Sequence, residues 1–207
     1  MAEGGEGVAE TPQARDRMVA GAADMIRRHG LNATSVRELA KHAQAPLGST
    51  YHYFPGGKAQ LAAEAVRFAD TLTARELAQG LAAGPVTGLR TFADMWRKVL
   101  EDNNFQAGCP VLAVSIEAQG DDGGPQRAAA AAFENWTRLF TRSLRDHGAS
   151  ASDAEQTATL IIAAVEGAVA MCRVERGTRP LDRTVDKLEF LIRAITGARA
   201  PRPNAAT

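Results

Sequence analysis

Two stops bracket eight residues of this chain, "LGSTYHYF" at 47 to 54: Pro46 stands before them and Pro55-Gly56-Gly57 after them. A proline is tolerated at the start of a helix and pushes the residue before it out of the α region, while Pro-Gly-Gly ends one, so any helix here is confined to little more than two turns. Upstream, "SVRE" at 35 to 38 is a capping box in which the Ser35 hydroxyl accepts from the Glu38 N–H and the Glu38 carboxylate reaches back. It opens a second brief helix, about Val36 to Ala43, with Val36, Leu39 and Ala40 facing inward, and "AQAP" at 43 to 46 supplies the turn. Ahead of both, Thr11 and Pro12 form a helix start, Met18, Ala22, Met25 and Ile26 recur at helical spacing, and Gly30 stops the run. A supporting helix followed by two short helices about a tight turn is the helix-turn-helix arrangement.

Beyond Lys58 the periodicity predicts longer helices over about 58–82, 86–105, 110–119, 126–147, 152–176 and 182–196, separated by Gly- and Pro-bearing breaks. A second capping box, "SDAE" at 152 to 155, marks one of these starts. The expected fold class is therefore all-α with about nine helices: a helix-turn-helix domain over 11–57 and a helical body over 58–197, the domain to which ligand binding and dimerisation are assigned below. The segments 1–10 and 198–207 read as disordered tails. Two cysteines, Cys109 and Cys172, are too few for a disulfide framework and lack metal-ligand spacing, so both read as reduced, small apolar residues. The longest apolar run, "LIIAAVEGAVAM" at 160 to 171, is interrupted by Glu166 and short for a bilayer, and the opening residues lack a leader pattern; the expectation is a cytoplasmic protein without a membrane partner.

Net charge is zero, yet residues 11–60 hold seven Arg and Lys against three Asp and Glu, a net +4, with His29, His42 and His52 in addition. Such asymmetry points a polyanion-facing module away from a neutral body. Both tyrosines of the chain sit in the bracketed segment. Gly48 lets backbone approach a phosphate, Ser49 and Thr50 offer short hydroxyls, and Tyr51, His52 and Tyr53 carry polar tips on rigid rings that cannot all share one helix face. Lys58 stands where a phosphate contact is expected, and Phe54 is the expected core anchor. The competing reading makes the rings core residues and the hydroxyls caps. For Arg27 and Arg28 a solvated face is expected before a DNA contact.

With these residues in view, "TSVRELAKHAQAPLGSTYHYFPGGKAQL" resembles the DNA-binding signature of the TetR family of transcriptional regulators. "YHYFPGGK" and "GCPV" at 108 to 111 are similar to the branch named for the LmrA and YxaF repressors. Carried over by position, the resemblance implies that Ser35, Arg37, Gly48, Thr50, Tyr51, His52, Tyr53 and Lys58 face double-stranded DNA, a palindromic operator. Leu47 stands where many members carry a lysine or arginine.

The resemblance also implies an inducer cavity in the C-terminal body. Phe92, Met95, Trp96 and Leu100 share one helix face, and Phe133, Trp136, Leu139 and Phe140 another; Leu112, Ile116 and Met171 are placed to close the same volume. Such a lining suits planar aromatic or lipophilic ligands, although an aromatic stripe at helical spacing serves equally as core. Cys109, beside Pro110 at a helix start, is a candidate for a lowered thiol pKa. Ala163, Gly167 and Ala170, with Leu181, Val185, Leu188, Leu191, Ile192 and Ile195, form the stripes of an expected homodimer interface or of the chain's own core. No cofactor is expected, no residue set suits catalysis, and the four histidines make no metal motif. The leading reading is a repressor released by a small apolar inducer; the alternatives are a module that only sequesters a ligand, and an enzyme.

Overall fold

The computed structural model describes residues 12–42, 47–117 and 123–197, without the side chains of Pro12, Gln13, Leu47 and Ser49. The expected tails, the Thr11 cap and the "AQAP" turn lie outside the described residues. Nine helices make up the described chain: α1 (Pro12–His29), α2 (Val36–His42), α3 (Leu47–Tyr53), α4 (Gly57–Leu81), α5 (Pro85–Asp102), α6 (Pro110–Glu117), α7 (Gly124–Asp146), α8 (Ala151–Glu175) and α9 (Arg179–Ile195). Pro85, Pro125 and Pro180 each occupy the first turn of a helix, where the missing N–H would have had no partner. That is why α9 begins three residues before the expected start. The α8 cap also differs. Ser150, not Ser152, accepts from the Asp153 N–H at 3.1 Å, and its hydroxyl donates to the Asp153 carboxylate at 2.7 Å.

Helix α4 is the spine, packing along α7 and α5 in the body and against α1 of the N-terminal helix-turn-helix unit α1–α3, here called the reader. Helices α8 and α9 flank α7 and α5. The four apolar residues Leu181, Val185, Leu188 and Ile192 of α9 turn inward and are buried in the chain's own core; of the expected interface stripe, only the small residues of α8 and the half-buried Leu191 and Ile195 remain toward the surface. The reason lies in the strongly one-sided apolar face of α9, which a monomer buries against α5 and α8. By length and composition α8 could cross a membrane, although its longest apolar run is short; half of its most apolar window is buried inside the bundle.

One buried carboxyl has no cationic partner among the described residues. Glu166, on α8, is 3% exposed and neither carboxylate oxygen has a hydrogen-bond partner among the described residues. Burial pushes its carboxyl from an ordinary value of 4.5 up to about 8, with the Cys109 thiol acting in the opposite direction. The native state thus keeps a proton that the unfolded chain releases, so the titration of this group adds no cost below about pH 4.5 and an increasing one as pH rises toward 8. At pH 7 the cost is of order 3 kcal/mol, from ~1.4 kcal/mol per pH unit. Glu166→Met should raise the denaturation midpoint at pH 7 to 8 and flatten the decline in stability between pH 5 and 8 seen for the unmodified chain; equal pH profiles for the two proteins would show that Glu166 is solvated.

Candidate nucleic-acid interface

The reader is built around Phe54. It is 1% exposed, with the Arg15 guanidinium 5.3 Å from its ring centroid and Arg15 in turn paired to Glu64 of α4 at 2.5 Å. On a helix the residue four positions earlier lies on the same face. Thr50 is accordingly fully buried, and its carbonyl accepts from the Phe54 N–H at 2.9 Å. The implied DNA contact of Thr50 is therefore corrected: the residue is fully buried and presents no surface to a duplex. Tyr53 is half-buried, edge-on to Phe54 at 6.4 Å and to His52 at 5.8 Å. What remains outward on α3 is Gly48, Tyr51 at 55% exposure and His52. Among the described residues beyond its chain neighbours, a Cβ at Gly48 would meet no atom within 4 Å. Ser49 has no described side chain, and neither has Leu47.

The α2 start follows the capping box closely. The Glu38 N–H donates to Ser35 Oγ at 3.1 Å, while the Ser35 hydroxyl and N–H both donate to the Glu38 carboxylate, at 2.8 and 3.3 Å. Ser35 is exposed but occupied by this cap, whereas Arg37 is exposed with no partner among the described residues. Lys58 is exposed and donates to the Asn32 carbonyl at 3.2 Å, which holds its ammonium beside the loop between α1 and α2. Exposed cationic side chains thus collect at Arg37 and Lys58, and exposed polar-tipped rings at Tyr51 and His52.

The reader is fastened to the body at several points that spacing along the chain did not mark. Gly30 has φ +83, a left-handed turn, and a side chain there would collide with the Glu117 carboxylate of α6. Glu117 also accepts from the Asn32 N–H at 2.8 Å, and the Gly108 N–H donates to the Arg27 carbonyl at 2.9 Å. Asp24 gathers Arg27 at 2.5 Å and Arg28 at 3.0 Å, with His42 of α2 at 3.7 Å, and Arg28 also donates to the Asn103 side chain at the end of α5. Burial alone would raise the Asp24 carboxyl; hydrogen bonds from Arg28 and Arg27 outweigh it and hold it below its usual range. Arg27 and Arg28 therefore serve the seam.

The expected cavity lining is largely core. Phe92, Trp136 and Phe140 are fully buried and meet edge to face, with Phe92 6.1 Å from each of the other two rings and 6.2 Å from Trp96. Phe133 stands edge-on to Trp136 at 5.6 Å and, like Leu112, packs half-buried against this cluster. Ile116 and Met171, at 72% and 54% exposure, point outward, so neither closes the same volume. Cys109 is buried, and burial together with the Glu166 charge pushes its thiol well above its ordinary value, overriding any help from the helix start. Of the expected set only Met95 and Trp96 border an open cavity of about 1010 Å³, which lies between α1, α4 and α5.

Comparison with known proteins bears on this arrangement. Residues 19–65 match the model of the bacterial regulatory proteins of the tetR family, and residues 85–187 match that of the LmrA/YxaF-like transcriptional regulator C-terminal domain. The chain is 38% identical over 186 residues to an HTH-type transcriptional regulator of Mycobacterium tuberculosis, covering 87% of this chain and 94% of that protein. It is 27% identical over 169 residues to the HTH-type transcriptional regulator LmrA of Bacillus subtilis, covering 81% and 90%. Its fold superposes on the crystal structure of regulatory protein TetR from Rhodobacter sphaeroides with a TM-score of 0.77 at 26% identity, over 86% of this chain and 98% of that one. The matched reader and body span the helices described above, and the chain belongs to the TetR family of DNA-binding helix-turn-helix transcriptional regulators, in its LmrA/YxaF-like branch, and is not an enzyme.

Proposed function

We propose that the protein is a cytosolic homodimeric repressor that reads a palindromic operator through α3 and is released from it by a small, largely apolar inducer. The observation that carries the reading is the division of α3 between Thr50 and Phe54, buried in the reader, and Gly48, Tyr51 and His52, left outward beside Arg37 and Lys58. A second copy has a surface to meet. The outer face of α8 presents Leu160, Ala163, Gly167, Ala170, Met171 and Val174 in one stripe, and Phe190 of α9 is 73% exposed. Small residues at helical spacing permit close helix approach, and uncovered apolar side chains in this number mark an interface. Two readers held by such a dimer match half-sites one helical turn apart. The integration of α8 into the bundle supports the cytosolic reading. Repression is the commoner mode among the proteins this chain resembles.

Selection of duplexes from a random pool tests the proposal. Enrichment of an inverted repeat with half-site centres ~34–36 Å apart is the expected result. Enrichment of an unrepeated element would contradict the dimer, and a pool that stays random would favour a module that only sequesters a ligand.

A further inference from the structure

The groove between α1, α4 and α5 has features of a built ligand site. Its apolar surface comes from Ala23, Phe68, Ala69, Met95, Trp96 and Val99, with half-exposed Leu72 on the lip. The space exists because α1 and α4 present alanines, Ala20, Ala23 and Ala69, where longer side chains would close it. At about 1010 Å³ it matches the upper range of small-molecule sites.

Charges reach the rim but are already matched. Asp24 is held by Arg27 at 2.5 Å, Lys98 by Asp102 at 2.9 Å, and Asp94 by Arg97; Arg75 and Glu76, exposed side by side, carry opposite signs. An ionic ligand would have to displace one of these partners, whereas an uncharged one would not. Trp96 supplies a further preference. It is 4% exposed, it borders the groove, and its indole N–H has no acceptor among the described residues. A buried donor left without a partner is costly, so an acceptor delivered by a ligand is favoured there.

We propose that this groove, and not the aromatic interior of the bundle, is the effector site, and that it takes an uncharged, largely apolar molecule carrying a hydrogen-bond acceptor for Trp96. Its regulatory consequence rests on the repressor reading; its binding chemistry does not. One wall is α1 itself, through Ala20, Ala23, Asp24 and Arg27. The same Asp24 approaches His42 of α2, and the Arg27 carbonyl takes the Gly108 N–H from the segment leading into α6. A molecule seated between α1 and α5 therefore bears on the ties that set the reader's angle to the body. Ligand and operator then oppose one another by the same factor in each direction.

Full-length protein titrated with prodan, an uncharged naphthyl ketone, provides the test. The expected result is a saturable blue shift in prodan emission with one site per chain. Ala69→Leu, which fills the groove, should abolish it. Leu72→Asp, confined to the exposed lip and so harmless to folding, should weaken it about tenfold, and Trp96→Phe, which keeps the wall and removes the donor, severalfold. Phe133→Leu in the bundle interior should leave it unchanged. No saturable binding to the folded protein, or binding that survives both Ala69→Leu and Leu72→Asp, overturns the site. Operator affinity measured on the same samples separates the two readings. A parent protein that binds operator normally but shows no saturable prodan binding contradicts the site alone. Prodan bound in the groove with no change in operator affinity contradicts its effector role.

Discussion

Tyr51→Ala abolishes selective operator binding and leaves the protein folded; this is the expected result with the largest functional effect. The ring is 55% exposed on α3 and its removal empties no core volume, so thermal stability should stay within about 0.5 kcal/mol of the parent. A side chain at a base edge is worth ~1–3 kcal/mol in discrimination, and a symmetric dimer presents it twice, giving about 2–6 kcal/mol. At ~1.4 kcal/mol per tenfold, the loss is at least about thirtyfold. The variant keeps the exposed cations Arg37 and Lys58, proposed to take phosphates, so weak binding to any duplex should remain. Phe54→Ala is the informative contrast, because it removes a buried anchor and loses DNA binding through collapse of the reader.

The largest stability effect is expected for Phe92→Ala. Phe92 is fully buried and makes edge-to-face contacts with Trp96, Trp136 and Phe140. Truncating a buried phenylalanine costs about 3–5 kcal/mol, a large share of a typical domain's ~5–15 kcal/mol. Urea unfolding should show a lower midpoint with an unchanged slope, the sign of a core loss in an otherwise similar native state. A cost below ~1 kcal/mol would instead identify Phe92 as the wall of a cavity large enough to tolerate the change.

The contrast between Thr50 and Tyr51 shows how far the sequence carries. The Ser35–Glu38 box, the Pro55-Gly56-Gly57 stop and the Gly30 turn are local, and each is legible because its cause lies within a few residues. Thr50 was legible in principle too, since it precedes the Phe54 anchor by four positions. Carrying a family's pattern across by position placed it outward, whereas the helix period places it inward. The expected α8 start lies at Ser152 with Glu155, whereas Ser150 caps the helix through Asp153, the same Ser-x-x-acid spacing two residues earlier.

The body was legible as helices but not as surfaces. A stripe such as Phe92 and Trp96, or Trp136 and Phe140, fixes a face and says nothing of what meets it; here the stripes meet one another and fill the volume. The groove could not be read from periodicity because its walls run from residue 20 to residue 110 and its emptiness comes from alanines. The ties at Asp24, Asn103 and Glu117 were hidden for the same reason, since each joins residues far apart in the chain. The lowered thiol pKa considered for Cys109 took the helix start without the burial around it, which agrees instead with a small apolar core residue.

Fluorescence anisotropy of the parent protein and Tyr51→Ala, each on the selected operator and on a scrambled duplex at low and high salt, tests the account most directly. The parent should prefer the operator, and Tyr51→Ala should bind both duplexes equally and weakly with the parent's salt dependence. A folded Tyr51→Ala protein that keeps the parent's preference for the operator would contradict the assignment of α3 as the element that reads DNA.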